Sequence, residues 1–217
     1  MKPIRRSDKD PGARLLGTLD NALRTLATKP AGPSRPSPAT KRDNKPMNAK
    51  DRRHAAGLMR INHAGEVAAQ ALYQGHKLVA RDPQLVAQLD DAAEEEFDHL
   101  VWCKGRLDEL GETTSRLNPV WYAGAYAMGA LSGLAGDRWG LGFIDETERQ
   151  VVEHLDGHLQ RLPLKDERSR EILGTMKREE AAHADHARDS GAAVLPGPVR
   201  GLMRLAAGVM KAAAYRV

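Results

Sequence analysis

Glu94-Glu95-Glu96-Phe97-Asp98-His99 is the stretch on which the reading of this chain turns, and Arg178-Glu179-Glu180-Ala181-Ala182-His183 answers it further on. Each lies in a long run with helical punctuation, so Glu96 and His99, like Glu180 and His183, share one helical face. The pattern alone is weak, because this composition yields about half of one Glu-x-x-His pair by chance. Its surroundings strengthen it. Glu66, within Ile61-Asn62-His63-Ala64-Gly65-Glu66-Val67-Ala68-Ala69, and Glu148, within Phe143-Ile144-Asp145-Glu146-Thr147-Glu148-Arg149-Gln150-Val151-Val152, stand in small or apolar surroundings. Glu66 precedes Glu96 by 30 residues and Glu148 precedes Glu180 by 32, which makes two similar helical hairpins. Each hairpin offers one lone Glu and one Glu-x-x-His.

Four inward carboxylates and two imidazoles from four helices are the ligand set of a di-iron or di-manganese carboxylate site in a helical bundle. Buried carboxylates without counter-charge are very costly, and two divalent cations neutralise them. The candidate metal ligands are therefore Glu66, Glu96, His99, Glu148, Glu180 and His183. Glu94, Glu95 and Glu179 read as solvated helix surface, because each lies off the face that its neighbouring pair defines. His63 competes with Glu66 as a ligand, but a packing or supporting role is the better reading. His154, His158 and His186 are candidates to orient a ligand or relay protons, with His154 the first to test as a proton relay. Tyr73, seven residues after Glu66 on the same face, and Cys103 read as core residues.

Caps and breakers predict the helices: about 51–79; a second opened by Asp82-Pro83 and stopped at Gly111; about 119–135 behind Asn118-Pro119. A fourth starts at Asp137 and ends before Pro163, a fifth runs from Asp166 to Gly191, and a sixth follows Pro196-Gly197-Pro198. No strand is apparent, and short connections favour antiparallel neighbours. The expected fold is all-α, a ferritin-like four-helix bundle with added apolar and amphipathic helices. Ahead of it, residues 1–47 read as a basic, Pro-rich extension. It holds a possible short helix through Leu15, Leu16, Leu19, Leu23 and Leu26, and a flexible linker over about 29–46. The bundle domain is 48–217.

Composition narrows the chemistry. The chain has 217 residues with one cysteine, so an internal disulfide, a cysteine zinc cluster and an iron–sulfur cluster are excluded. Its 33 basic and 29 acidic side chains are unevenly placed: residues 1–50 hold 12 Lys/Arg against 4 Asp/Glu, leaving the body mildly acidic. With aromatics at 4%, that argues against nucleic acid as a partner. The start lacks an apolar run, so a cytoplasm-facing protein is expected.

The stretch Arg60-Ile61-Asn62-His63-Ala64-Gly65-Glu66-Val67-Ala68-Ala69-Gln70-Ala71-Leu72-Tyr73, both Glu-x-x-His segments and Glu146-Thr147-Glu148-Arg149-Gln150-Val151-Val152 resemble one family. It is the di-iron demethoxyubiquinol hydroxylases of ubiquinone biosynthesis, and the resemblance covers about residues 48–217. It implies two ferrous ions, one on Glu66, Glu96 and His99 and the other on Glu148, Glu180 and His183, with Glu96 and Glu180 bridging. It further implies O₂-dependent hydroxylation of the benzoquinol ring of a polyprenylated ubiquinone precursor. Competing expectations are another ferritin-like oxidase or hydroxylase, and a non-catalytic lipid-binding scaffold.

Two segments bear on delivery of such a substrate. Leu117 to Gly136 is a run of twenty uncharged residues with Trp121, Tyr122 and Tyr126 at one end. Its glycines and its proline suit a helix lying on a membrane better than one crossing it, with a buried crossover helix as the alternative. The C-terminal helix carries Arg200, Arg204 and Lys211, with no acid after Asp189. That pattern fits anionic lipid or a partner enzyme of the same pathway. A peripheral protein on the cytoplasmic side of the inner membrane is expected.

Overall fold

The computed structural model describes residues 11–26 and 32–217. Its α-helices are α1 (Pro11–Leu26), α2 (Ala49–Val79), α3 (Pro83–Glu109), α4 (Asn118–Leu134), α5 (Asp137–Arg161), α6 (Glu167–Asp189) and α7 (Gly197–Ala214), with a 3-10 turn at Pro38–Lys41 and no strand among the described residues. The expected caps hold at two helices, and Asn48 caps a third where none was expected. Asn48 accepts from the Asp51 N–H, Asp82 from the Gln84 N–H and Asp166 from the Ser169 N–H. Gly111 and Gly191, at φ 72° and 93°, close α3 and α6 in the left-handed region that favours glycine.

Two expected caps are corrected. Asn118 and Asp137 lie inside α4 and α5, whose cap positions are Leu117 and Gly136. Ser115 Oγ instead accepts from the Leu117 N–H, and Gly136 turns the chain at φ 122°. This frees the buried Asn118 amide to reach His63 at 3.4 Å.

Cross-helix pairs fix the topology. Lys77 meets Asp90 near one end of the α2–α3 hairpin and Arg60 meets Glu112 near the other. Tyr73 meets Glu148 and Asn62 meets His158, so α5 also opposes α2. Arg106 meets Ser169 and His99 meets Glu179, which sets α6 against α3. The result is a four-helix bundle of α2, α3, α5 and α6, with α4 as the crossover that carries the chain back between its halves. Its lower core gathers Leu58, Met59, Leu107, Leu155, Leu173 and Met176 around Cys103. Burial lifts the Cys103 thiol well above its ordinary range, and a core role is what the sequence assigns it.

Helix α4 runs parallel to α2 and in backbone contact with it. A Cβ on Gly129 would lie 2.2 Å from the Leu72 carbonyl oxygen, and one on Gly75 would lie 2.1 Å from that of Tyr126. The buried-crossover reading of the uncharged run therefore holds in part. Tyr122, Gly129 and Ser132 are buried in a crossover, while Val120, Leu131 and Leu134 face outward. No described helix is long and apolar enough to cross a membrane. On α7, Met203 and Ala214 pack inward, and Leu202, Leu205 and Val209 form an exposed stripe.

The region ahead of the bundle differs from the expected flexible linker. Residues 1–10 and 27–31 of the expected extension 1–47, and with them the start of that linker, lie outside the described residues. Residues 32–46 are laid along α3 and α6 as a strap, because their charges find partners there. Arg35 pairs with Asp98 and Glu179, Arg42 with Glu171 and Lys45 with Glu167, while Ala39 joins the core. The apolar residues of α1 are divided between its faces. Ala22 and Leu26 pack toward Phe97 and Tyr122, whereas Leu16, Leu19 and Leu23 face outward.

Candidate metal centre

Midway along the bundle, α2 brings Glu66, α3 brings Glu96 and His99, and α6 brings Glu180 to one buried point. Their ligand atoms lie within 4.8 Å of one another. His183 joins them, its Nδ1 at 2.9 Å from Glu96 Oε1 and 3.4 Å from Glu180 Oε2. His99 Nδ1 lies 3.2 Å from Glu96 Oε2 and 3.1 Å from Glu180 Oε1. Each of these two carboxylates thus turns one oxygen to each imidazole. Glu148, fully buried on α5, completes the set, with Tyr73 donating to its Oε1 at 2.9 Å.

The donor set fits metal. Glu96 Oε1, Glu148 Oε2, both Glu180 oxygens and His183 Nδ1 are buried without a hydrogen-bond partner among the described residues. Such orphaned atoms are rare in a folded interior, and here they converge because their lone pairs face a shared centre. Carboxylate oxygens with imidazole nitrogens are the donor chemistry of a divalent transition metal. The buried cluster could therefore hold metal ions.

Protons stand in for that charge when metal is absent. Burial raises the Glu66 and Glu148 carboxyls well above the usual range, and the neighbouring Glu96 and Glu180 charges add to the rise. Burial alone would lower His183, but the Glu180 and Glu96 carboxylates lift it to about 12. His99 is raised in the same sense against its own burial. Metal entering the cluster must displace these protons, so its uptake weakens toward acid pH.

The outer nitrogens of the two imidazoles expose what the sequence reading missed. Glu179 Oε2 lies 2.7 Å from His99 Nε2, and Glu95 Oε2 lies 3.1 Å from His183 Nε2. Glu179, read as solvated surface, is half-buried, and Glu95 is exposed as read, yet each orients a histidine from the helix opposite. The signal was available, since both segments read Glu-Glu-x-x-His. An outer carboxylate of this kind fixes the tautomer and ring orientation of a ligating histidine.

The remaining candidates fall outside the cluster. His63 turns to Asn118, as a packing residue would. His154 and His158 sit with ring centroids 5.0 Å apart, and Asn62 Oδ1 accepts from His158 Nδ1 at 2.9 Å. Burial is the leading cause that lowers His63 and His158 to about 3 and His154 to about 4. His186 lines, with His183 and Tyr73, a cleft between α3, α5 and α6 whose walls include Leu85, Leu89 and Ile144.

A pH dependence follows. An unfolded histidine takes up a proton near pH 6.5, whereas folded His158 resists protonation down to about pH 3. The unfolded state therefore binds more protons between those limits, and stability falls as pH drops through that window. Each such histidine contributes roughly 1.4 kcal/mol per pH unit well below 6.5. Urea unfolding at a series of pH values is expected to show a shallower slope in His158→Gln by about that amount per unit; an unchanged slope contradicts the assignment.

A family model described as "Ubiquinone biosynthesis protein COQ7" matches residues 53–214. A "3-demethoxyubiquinol 3-hydroxylase" of Cupriavidus taiwanensis is 56% identical over 205 residues, covering 94% of this chain and 99% of the relative. Proteins of the same name from Cupriavidus metallidurans and Xanthomonas oryzae pv. oryzae are each 54% identical, covering 94% and 95% of this chain and 99% and 95% of their own lengths. A helical bundle with this buried carboxylate–imidazole cluster, matched over most of its length, places the chain in the COQ7 family of ubiquinone biosynthesis proteins.

Proposed function

We propose that this protein is a di-iron monooxygenase that uses O₂ to hydroxylate the benzoquinol ring of polyprenylated demethoxyubiquinol. The observation that carries the reading is the crossed geometry at the cluster, where Glu96 and Glu180 each present different oxygens to His99 and His183. Close relatives bear the hydroxylase name, which supports the substrate class. Glu66, Glu96, His99, Glu148, Glu180 and His183 would hold the two iron ions. Bound there in the ferrous state, the pair would supply the two electrons that, with two protons, take dioxygen to one ring hydroxyl and one water.

The chain's own residues do the rest. Tyr73 fixes the orientation of Glu148 by its hydrogen bond. Leu85, Leu89 and Ile144 give the small cleft that reaches His183 its apolar walls, and an apolar quinol would enter by that route once it widens. His183 is suited to the substrate side, with its side chain 13% exposed against 0% for His99. His154, beside His158, is the candidate proton relay.

The protein lies on the cytoplasmic face of the inner membrane and takes its quinol from the bilayer, in company with other enzymes of the pathway. Leu131 and Leu134 of α4 and Leu202, Leu205 and Val209 of α7 are the apolar residues available for that contact. In flotation with anionic vesicles, the protein is expected to rise with the lipid. Leu202→Glu with Leu205→Glu is expected to weaken partitioning at least about tenfold, since each leucine withdrawn from lipid costs roughly 1.5–3 kcal/mol. Wild-type protein left at the bottom of the gradient contradicts the membrane reading.

The function is tested by quinone profiling in cells that lack their own demethoxyubiquinol hydroxylase. Expression of this protein is expected to restore ubiquinone. Persistence of the demethoxy precursor beside expressed, iron-loaded protein overturns the substrate assignment.

A further inference from the structure

Asp98 lies two residues after Glu96 and one before His99, and its side chain is 1% exposed. A buried carboxylate needs partners, and all those found for it come from the strap. The Ser34 N–H and Oγ donate to it at 2.7 and 2.9 Å, and Arg35 Nε donates at 2.7 Å. The same guanidinium uses its other nitrogens on Glu179, at 2.8 and 3.2 Å. Glu179 in turn holds His99 Nε2. Trp102 Nε1 donates to the Arg35 carbonyl oxygen, and the Trp102 ring lies 5.4 Å from that of His99.

The other imidazole lacks this support. Glu95, which holds His183, has a side chain 48% exposed and no cationic partner besides that histidine among the described residues. Two imidazoles that are equivalent in sequence pattern are therefore unequal in the fold.

We propose that Ser34 and Arg35, anchored on Asp98, are positioning residues that clamp His99 through Glu179, making the His99 side of the centre the tighter metal position. The inference rests on the two-metal reading above. A clamped outer carboxylate holds the imidazole ring in its ligating orientation before metal arrives, so less order is lost on binding. The unclamped His183 side remains free to move as substrate enters the adjoining cleft.

Cobalt(II) titration of the metal-free, full-length protein tests this, followed by calorimetry and by the cobalt d–d absorption. Wild type is expected to fill in a tight and a weaker step. Arg35→Gln is expected to weaken the tight step by roughly 10- to 100-fold and to alter the spectrum of the first cobalt bound. Arg35→Lys, which keeps the charge but loses the two-pronged contact, is expected to fall between. Arg42→Gln removes a strap-to-α6 ion pair that does not reach the histidine, and is expected to titrate as wild type. The double variant of Arg35→Gln with Glu179→Gln is expected to bind no more weakly than Glu179→Gln alone, because the two act in series. An unchanged first step in Arg35→Gln, a loss confined to the weaker step, an equal loss in Arg42→Gln, or additive effects in the double variant each overturn the clamp. Wild type that takes up no cobalt overturns the two-metal reading itself.

Discussion

Glu180→Ala is expected to leave the demethoxy precursor unconverted and the protein short of iron, while its metal-free fold stands at least as firm as wild type. The two halves of that result have one cause. Glu180 is 1% exposed, and neither of its carboxylate oxygens has a hydrogen-bond partner among the described residues. In a metal-free bundle its loss removes a repulsive neighbour of Glu66 and Glu148, while His99 keeps Glu96 and Glu179, and His183 keeps Glu96 and Glu95, as carboxylate partners. In the loaded bundle its loss would remove one of the buried carboxylates proposed to hold the metal ions. Turnover is expected to fall by more than about 100-fold, beyond the 10- to 100-fold that loss of an outer partner costs. Quinone profiling, iron content and urea unfolding of the metal-free variant measure the three quantities. A variant that hydroxylates normally, or that is markedly destabilised without metal, shows Glu180 to be a structural residue.

Arg106→Leu is expected to have the largest effect on stability. The Arg106 side chain is 1% exposed on α3, and its guanidinium reaches Asp166 at 2.8 Å, Glu109 at 2.7 Å, Ser169 at 3.0 Å and Asn44 at 3.0 Å. Asp166 is wholly buried and caps α6, so the substitution strands a charge at a helix start on which the centre depends. Breaking a buried pair from one side costs about 3–5 kcal/mol, a large share of the roughly 5–15 kcal/mol of a typical domain. Arg106→Met combined with Asp166→Asn is expected to recover much of the loss, because asparagine still caps the helix and no charge is left unpaired. Chemical unfolding of the three proteins measures this. A loss below about 1 kcal/mol in Arg106→Leu places the pair among ordinary surface bridges.

These expectations depend on features of unequal legibility. The helices of the bundle were readable to within two residues, because Asp82, Asp166, Gly111 and Gly191 are local signals whose chemistry acts within one turn. Four of the six candidate ligands meet in one tight group and a fifth, His183, touches it, because residue type and repeated spacing determine which side chains must face inward. The supporting shell was less readable. Glu95 pairs with a histidine 88 positions away and Glu179 with one 80 away, so their roles depend on how two helices face each other. Arg35 sits in a Pro-rich segment whose composition resembles a linker, and the buried Asp98 together with Glu179 explains why it is held. The contact of α4 with α2 rests on glycines that look merely permissive until their backbones meet.

The central claim is that this cluster carries O₂-dependent ring hydroxylation. Single-turnover product analysis tests it most directly, with ferrous-loaded protein in anionic vesicles containing demethoxyubiquinol and supplied with isotopically heavy dioxygen. One heavy oxygen atom in the new ring hydroxyl, formed by wild type and absent with Glu180→Ala, is the result expected. An unlabelled hydroxyl, or no product from protein carrying its full complement of iron, would contradict the account.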